Sequence, residues 1–115
     1  MFIRDLDVRC WMKKFNARKV NSNSVKHWYV DINDDVFIEI DFGTAKRTFS
    51  IEFLGRKSGL FSYTHDLPTC FLESFIELAK SFVSEKGPDF HDLANSKEHF
   101  RDYITRKTGL KFTYC

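Results

Sequence analysis

Three groups of residues in this sequence have side chains that could do chemistry. His65-Asp66 stands shortly before Cys70. A thiol in the first turn of a helix gains thiolate character from the helix dipole. His65 would then serve as base, with Asp66 orienting it. A plainer reading makes Asp66 a helix cap and Cys70 a small buried side chain. No oxyanion element or substrate pocket is legible beside them, so the plainer reading is preferred and no enzyme is expected.

His91, Asp92, His99 and Asp102 are the second group. His99 and Asp102 are three apart and would share one face of a helix, with His91 on the preceding loop. Their spacing matches no zinc motif, so a polar helix surface is expected, without metal or cofactor. The third group is Gly55-Arg56-Lys57-Ser58-Gly59. It resembles a phosphate cradle but lacks the Walker A spacing, and a strand rather than a helix follows it. A hairpin turn with two solvated cations is the better account, and Arg56 and Lys57 could still touch a partner.

Charge is more informative than these motifs. The 115 residues hold 18 basic and 16 acidic side chains, a net charge of +2, so a wholesale polyanion binder is not expected. The small net charge hides segregation. Residues 9–26 carry Arg9, Lys13, Lys14, Arg18, Lys19 and Lys26 with no acid. Residues 31–41 carry Asp31, Asp34, Asp35, Glu39 and Asp41 with no base. Either each block faces a partner of opposite charge, or the two neutralise one another.

Cys10, Cys70 and Cys115 are odd in number and widely spaced, with no C-x-x-C pair. The first residues lack the apolar block of a signal peptide. Free thiols in a reducing cytosol are expected. No apolar run reaches the roughly 18 residues of a membrane span.

The elements that must position these residues follow from periodicity. Val8, Trp11, Met12 and Phe15 mark one face of a helix over residues 5–20, with Asp5 and Asp7 at its start and Lys13, Lys14, Arg18 and Lys19 towards its end. After a polar loop the period becomes two. Trp28, Val30 and Ile32, then Val36, Ile38, Ile40 and Phe42, then Phe49, Ile51 and Phe53 alternate with polar neighbours. A short fourth strand is expected at Leu60–Tyr63. Short connections make this a four-stranded antiparallel meander with one buried face.

Beyond Pro68 the wide stripe Phe71, Leu72, Phe75, Ile76, Leu78, Ala79, Phe82 and Val83 predicts an apolar helix, stopped at Gly87-Pro88. A third helix is expected from a Ser96 cap to about Lys107, with Phe100, Tyr103 and Ile104 inward and Gly109 at its end. Leu110–Tyr114 could add a short edge strand, and Phe112 and Tyr114 there could pair a homodimer. The expected fold class is α+β, a single domain over 1–115. It has an N-terminal helix, and two C-terminal helices pack on one face of the sheet.

On the solvent face of such a sheet, Tyr29 and Phe37 would meet across neighbouring strands, ringed by Asp31, Glu39 and Asp41. Thirteen Phe, four Tyr and two Trp exceed what one small core plainly needs. Exposed aromatics inside an acidic rim have the character of a binding hot spot. The leading expectation is therefore a small stand-alone protein that docks on another macromolecule and blocks or modulates it. Tyr29 and Phe37 would be its anchors, and Asp31, Asp34, Asp35, Glu39 and Asp41 would face a basic cleft such as a nuclease's. Immunity proteins against nuclease toxins and phage-encoded anti-defence inhibitors such as anti-CRISPR proteins share this size and character, an analogy rather than a sequence match. The alternative is a nucleic-acid-binding accessory domain using segment 9-26. Lys13, Lys14, Arg18 and Lys19, joined by Arg56 and Lys57, would contact phosphates.

Overall fold

The computed structural model describes residues 4–19, 25–43, 46–57, 59–86, 90–96 and 98–109, without the side chains of residues 61, 65 and 90. The first helix, α1 (Asp5–Lys14), starts where Asp7 accepts the Arg4 backbone N–H at 3.0 Å. It is shorter than the expected 5–20. Asn16 takes a left-handed conformation (φ 55°). The Ala17 N–H reaches back to the Met12 carbonyl and the Asn16 N–H to the Lys13 carbonyl. These are the paired bonds of a Schellman stop, with Asn in the place glycine usually takes. The chain then turns into a strand, β1 (Arg18–Lys19), which sequence periodicity did not reveal.

Four more strands follow: β2 (His27–Asp31), β3 (Val36–Phe42), β4 (Thr48–Gly55) and β5 (Gly59–Pro68). The sheet is an antiparallel meander in chain order, β1-β2-β3-β4-β5, so it has five strands where four were expected. The turn from β2 to β3 is held by the Asn33 side chain, which accepts the N–H groups of Asp35 and Val36, each at 2.8 Å. Alternation along β3 is strict, with Val36, Ile38, Ile40 and Phe42 buried and the residues between them half-exposed.

β5 is longer than expected because it stays paired with β4 as far as Pro68, opposite Thr48. It keeps that pairing through two register shifts. At the second, Asp66 sits at φ 60°, the left-handed residue of a bulge. Asp66 is therefore a strand residue and not the expected helix cap.

The apolar stripe forms a 3₁₀ turn (Thr69–Phe71) and then α2 (Leu72–Lys86). Phe71, expected inside the stripe, falls in the 3₁₀ turn and is 46% exposed. Leu72, Phe75, Ile76, Ala79, Phe82 and Val83 are buried against the sheet. Phe75 packs on Phe49 and Phe82 on Phe53, with ring centroids 6.0 and 5.5 Å apart. A short helix, α3 (Phe90–Ala94), and then α4 (Phe100–Thr108) complete the helical layer, one helix more than expected at this end. Phe100 adds its ring to Phe53 at 4.9 Å and to Phe82 at 5.4 Å.

Residue His99, not Ser96, precedes α4. The Ser96 hydroxyl is engaged two residues on, accepting the Glu98 N–H at 3.3 Å, so the helix starts later. Gly109 ends α4 in the left-handed conformation its position requires (φ 76°). The Leu110–Tyr114 edge strand and Gly87-Pro88 lie outside the described residues.

Layer assignment decides what the sheet can do. Val8 and Met12 of α1 are fully buried in the same core as α2 and α4. Lys14 of α1 pairs with Glu73 of α2 at 2.7 Å. All described helices thus sit on the face of Phe49 and Phe53. Among the described residues, none covers the other face. No described helix is long and apolar enough to cross a membrane.

The candidate docking face of the sheet

The residues that alternate outward from the core form ordered rows on the open face. Arg18, Tyr29, Glu39, Glu52 and Tyr63 lie opposite one another across all five strands. On one side of this row, Asp31, Phe37, Leu54 and Leu60 form a second. On the other, His27, Asp41 and Ser50 form a third. Strands stand about 4.8 Å apart, so neighbours in a row touch.

Tyr29 and Phe37, diagonal neighbours, meet edge to face with ring centroids 5.3 Å apart. Each ring carries a guanidinium: Arg18 over Tyr29 at 5.8 Å and Arg56 over Phe37 at 5.2 Å. Both guanidiniums hold Asp31, Arg18 at 3.0 Å and Arg56 in a closer contact. Arg56 also donates to the Asp34 carbonyl at 3.0 Å, and its own N–H to the Asp35 carbonyl at 2.9 Å. Burial acts against ionisation of Asp31, but the hydrogen bond from Arg56 and the charge of Arg18 hold its carboxyl below the ordinary value. Asp31 is thus a clamp that fixes two aromatic-capping arginines, and its charge is spent within the face.

The carboxyls further along behave otherwise. Glu39 and Glu52 face each other directly across β3 and β4. Desolvation, followed by the hydrogen bond to Glu52 and the charges of Glu52 and Asp41, pushes Glu39 up to about 7. Glu39 therefore keeps its proton up to the neighbourhood of neutrality. Asp41 accepts His27 Nδ1 at 2.8 Å. Beside this pair lies a hollow of about 360 Å³ whose lining includes Lys26, His27, Asp41, Ser50, Tyr63 and Asp66. Ser50 in that lining is only 6% exposed.

Tyr29, Asp31, Phe37, Glu39 and Asp41 are thus brought together on one face, and Asp34 and Asp35 lie on the turn at its edge. The cationic set is divided. Lys13 and Lys14 end α1 on the helical side, and Lys14 is paired with Glu73. Arg18 faces the open side, while Lys19 lies over the core-facing Trp28 ring at 5.8 Å. Arg56 has crossed to Asp31, and Lys57 is exposed in the β4–β5 turn. Glu52 is the residue sequence reading left out of the site. Its signal was the hairpin register, since counting outward from the turn between β3 and β4 pairs it with Glu39.

Cys70 is exposed, not buried as expected: in its 3₁₀ turn it is Thr69 that is buried, donating to the Arg47 and Lys46 carbonyls at 2.9 Å each. It shares a shallow hollow of about 420 Å³ with Trp11, Phe71 and Glu73. The His65 side chain lies outside the described set, and Asp66 belongs to the strand bulge. Cys10 is also exposed and free, and Cys115 is outside the described residues. Among the described residues, no group of three or more His, Cys, Asp or Glu could hold a metal ion. Comparison with known proteins finds no matching family model, curated protein or solved structure.

Proposed function

We propose that this chain is a protein-binding module, not an enzyme, that docks by its open sheet face on a basic surface of another protein and blocks or modulates it. One observation carries the reading. Among the described residues, the helix-free face sets an edge-to-face Tyr29–Phe37 pair beside the Glu39–Glu52 pair and Asp41, with exposed Tyr63 closing the row. Aromatic anchors among carboxylates are what a basic protein cleft selects, because rings supply contact area and the acids supply steering and register. A nuclease's phosphate-binding cleft has the complementary charge. Asp34 and Asp35 on the neighbouring turn extend the acidic surface.

The nucleic-acid reading has less support. It asks for one continuous cationic surface, whereas Lys14, Arg18 and Arg56 are in ion pairs and the set is spread over two sides of the domain.

The test is affinity for a partner captured from source-cell lysate, identified by mass spectrometry and purified. Y29S and F37S should each weaken binding by about tenfold or more, the range of interface anchors. D34K should weaken it and reduce its salt dependence, and K13E/K14E should leave it unchanged. A partner that disappears on nuclease treatment, or an affinity indifferent to Y29S and F37S, overturns the proposal.

A further inference from the structure

The open face carries a hollow whose lining bears on what part of a partner it receives. We propose that the hollow beside β3, β4 and β5, together with the adjoining Glu39–Glu52 pair, is a seat for an arginine side chain of the docking protein. The inference rests on the docking reading and adds a chemical identity to it.

Three features of the site converge. The first is shape: about 360 Å³ is open between His27 and Asp41 on one side and Tyr63 and Asp66 on the other. That is room for a long side chain and its head group. Ser50, a polar residue only 6% exposed, lines it. Among the described residues its hydroxyl makes one bond, a 3.5 Å donation to the Asp41 carbonyl, so its lone pairs can accept from an entering N–H.

The second feature is charge. Asp41 and Asp66 line the hollow, and Glu39 and Glu52 stand two residues further along β3 and β4. Lys26 and His27 are the cationic residues of the lining. Elsewhere on the face Asp31 already has two guanidiniums, whereas among the described residues no ion pair joins a cation to Glu39 or Glu52. Two carboxylates side by side present a fork-shaped acceptor, which a planar guanidinium fits better than an ammonium.

The third is the ring. Tyr63 is 52% exposed, lines the hollow and lies directly opposite Glu52. A guanidinium bound to the carboxyl pair would lie against it, as Arg18 and Arg56 already lie against Tyr29 and Phe37 on the same face.

Binding should depend on pH. Glu39, raised to about 7, must release its proton to take a cation, so affinity should rise from pH 6 to pH 8. The other charged or titratable groups around the pair are Arg18, His27, Tyr29 and Asp31 on β1 and β2, Asp41 on β3, Tyr63 and Asp66 on β5, and Lys26 before β2.

The experiment is an amide NMR titration of the full chain with three end-capped tripeptides: Gly-Arg-Gly, Gly-Lys-Gly and Gly-citrulline-Gly. The arginine peptide should shift amides of residues 39–43, 48–52 and 63–66 saturably. The lysine peptide should bind several-fold more weakly, and the neutral citrulline peptide should leave the spectrum unchanged. E39Q and E52Q keep shape and relieve repulsion, so both remain folded by their spectra. Each should weaken arginine binding by about fivefold or more, within the range for loss of a charge-assisted contact. No saturable shift at these residues, equal shifts with citrulline, or unchanged affinity in both Gln variants overturns the seat. Such a result alongside Y29S-sensitive partner binding refutes the seat and leaves docking standing. Arginine binding at the hollow with a partner indifferent to Y29S and F37S refutes docking alone.

Discussion

Replacing Glu39 by Gln should stabilise this protein near pH 8 and leave it nearly unchanged near pH 4. Glu39 is held against Glu52 on a half-buried face, and its carboxyl is moved from 4.5 to about 7. The folded state therefore binds a proton more tightly than the unfolded chain. Between pH 4.5 and 7 the folded state carries more protons, so stability falls as pH rises through that window. At roughly 1.4 kcal/mol per pH unit the full effect is at most about 3.5 kcal/mol. Solvent screening of a partly exposed pair reduces this to about 1–2 kcal/mol. A Gln side chain removes the like charge and can donate an N–H to Glu52, so E39Q should recover that amount above pH 7. The assay is urea unfolding of both proteins at half-unit steps from pH 4 to pH 8.5. A wild-type stability that is flat or rises between pH 5 and 7.5, or an E39Q curve parallel to wild type throughout, would refute the reasoning.

Other expectations are as direct. Glu98 takes Arg106 through two bonds of 2.9 Å and Lys86 at 2.9 Å, which holds its carboxyl down at about 2. It stabilises above pH 4.5 and ceases to as pH falls through 2, so E98Q should lower the urea midpoint at pH 7 and do little at pH 2. Asn16 occupies the left-handed stop of α1. N16V should cost about 1–2 kcal/mol, with N16G within a few tenths of wild type, both read by thermal unfolding. Phe82 is fully buried among Phe53, Phe100 and Tyr103, so F82A should cost about 3–5 kcal/mol in denaturant titration.

The parts of the fold legible in the sequence were those with a strong period. Val36 to Phe42 alternates without a break, and Phe75 to Val83 keeps a helical stripe, so their burial followed from pattern alone. What escaped was set by short-range geometry. Arg18-Lys19 is too brief and too polar to show a strand period, and only the left-handed turn at Asn16 frees it from the helix. Asp66 before a helix looks like a cap, but pairing of β5 to Pro68 absorbs it into a bulge. Ser96 likewise lost its capping role to a local bond with Glu98.

The candidate face was half legible. Alternation placed Tyr29, Phe37, Glu39 and Asp41 together on one side. It gave no sign that Arg56, three strands from Arg18, would return to the same Asp31. Meander topology explains that meeting, since the β2–β3 and β4–β5 turns lie at one end of the sheet. The pairing of Glu52 with Glu39 needed the hairpin register, which depends on where the turn closes.

The most direct test of the docking face is an amide-shift map of the isotope-labelled chain bound to its purified partner. The account predicts perturbations concentrated on residues 27–31, 36–41, 50–54 and 60–66, with α1 and α2 little changed. Perturbations centred on Lys13 and Lys14, or on Trp11, Cys70 and Phe71, with the sheet face silent, would contradict it.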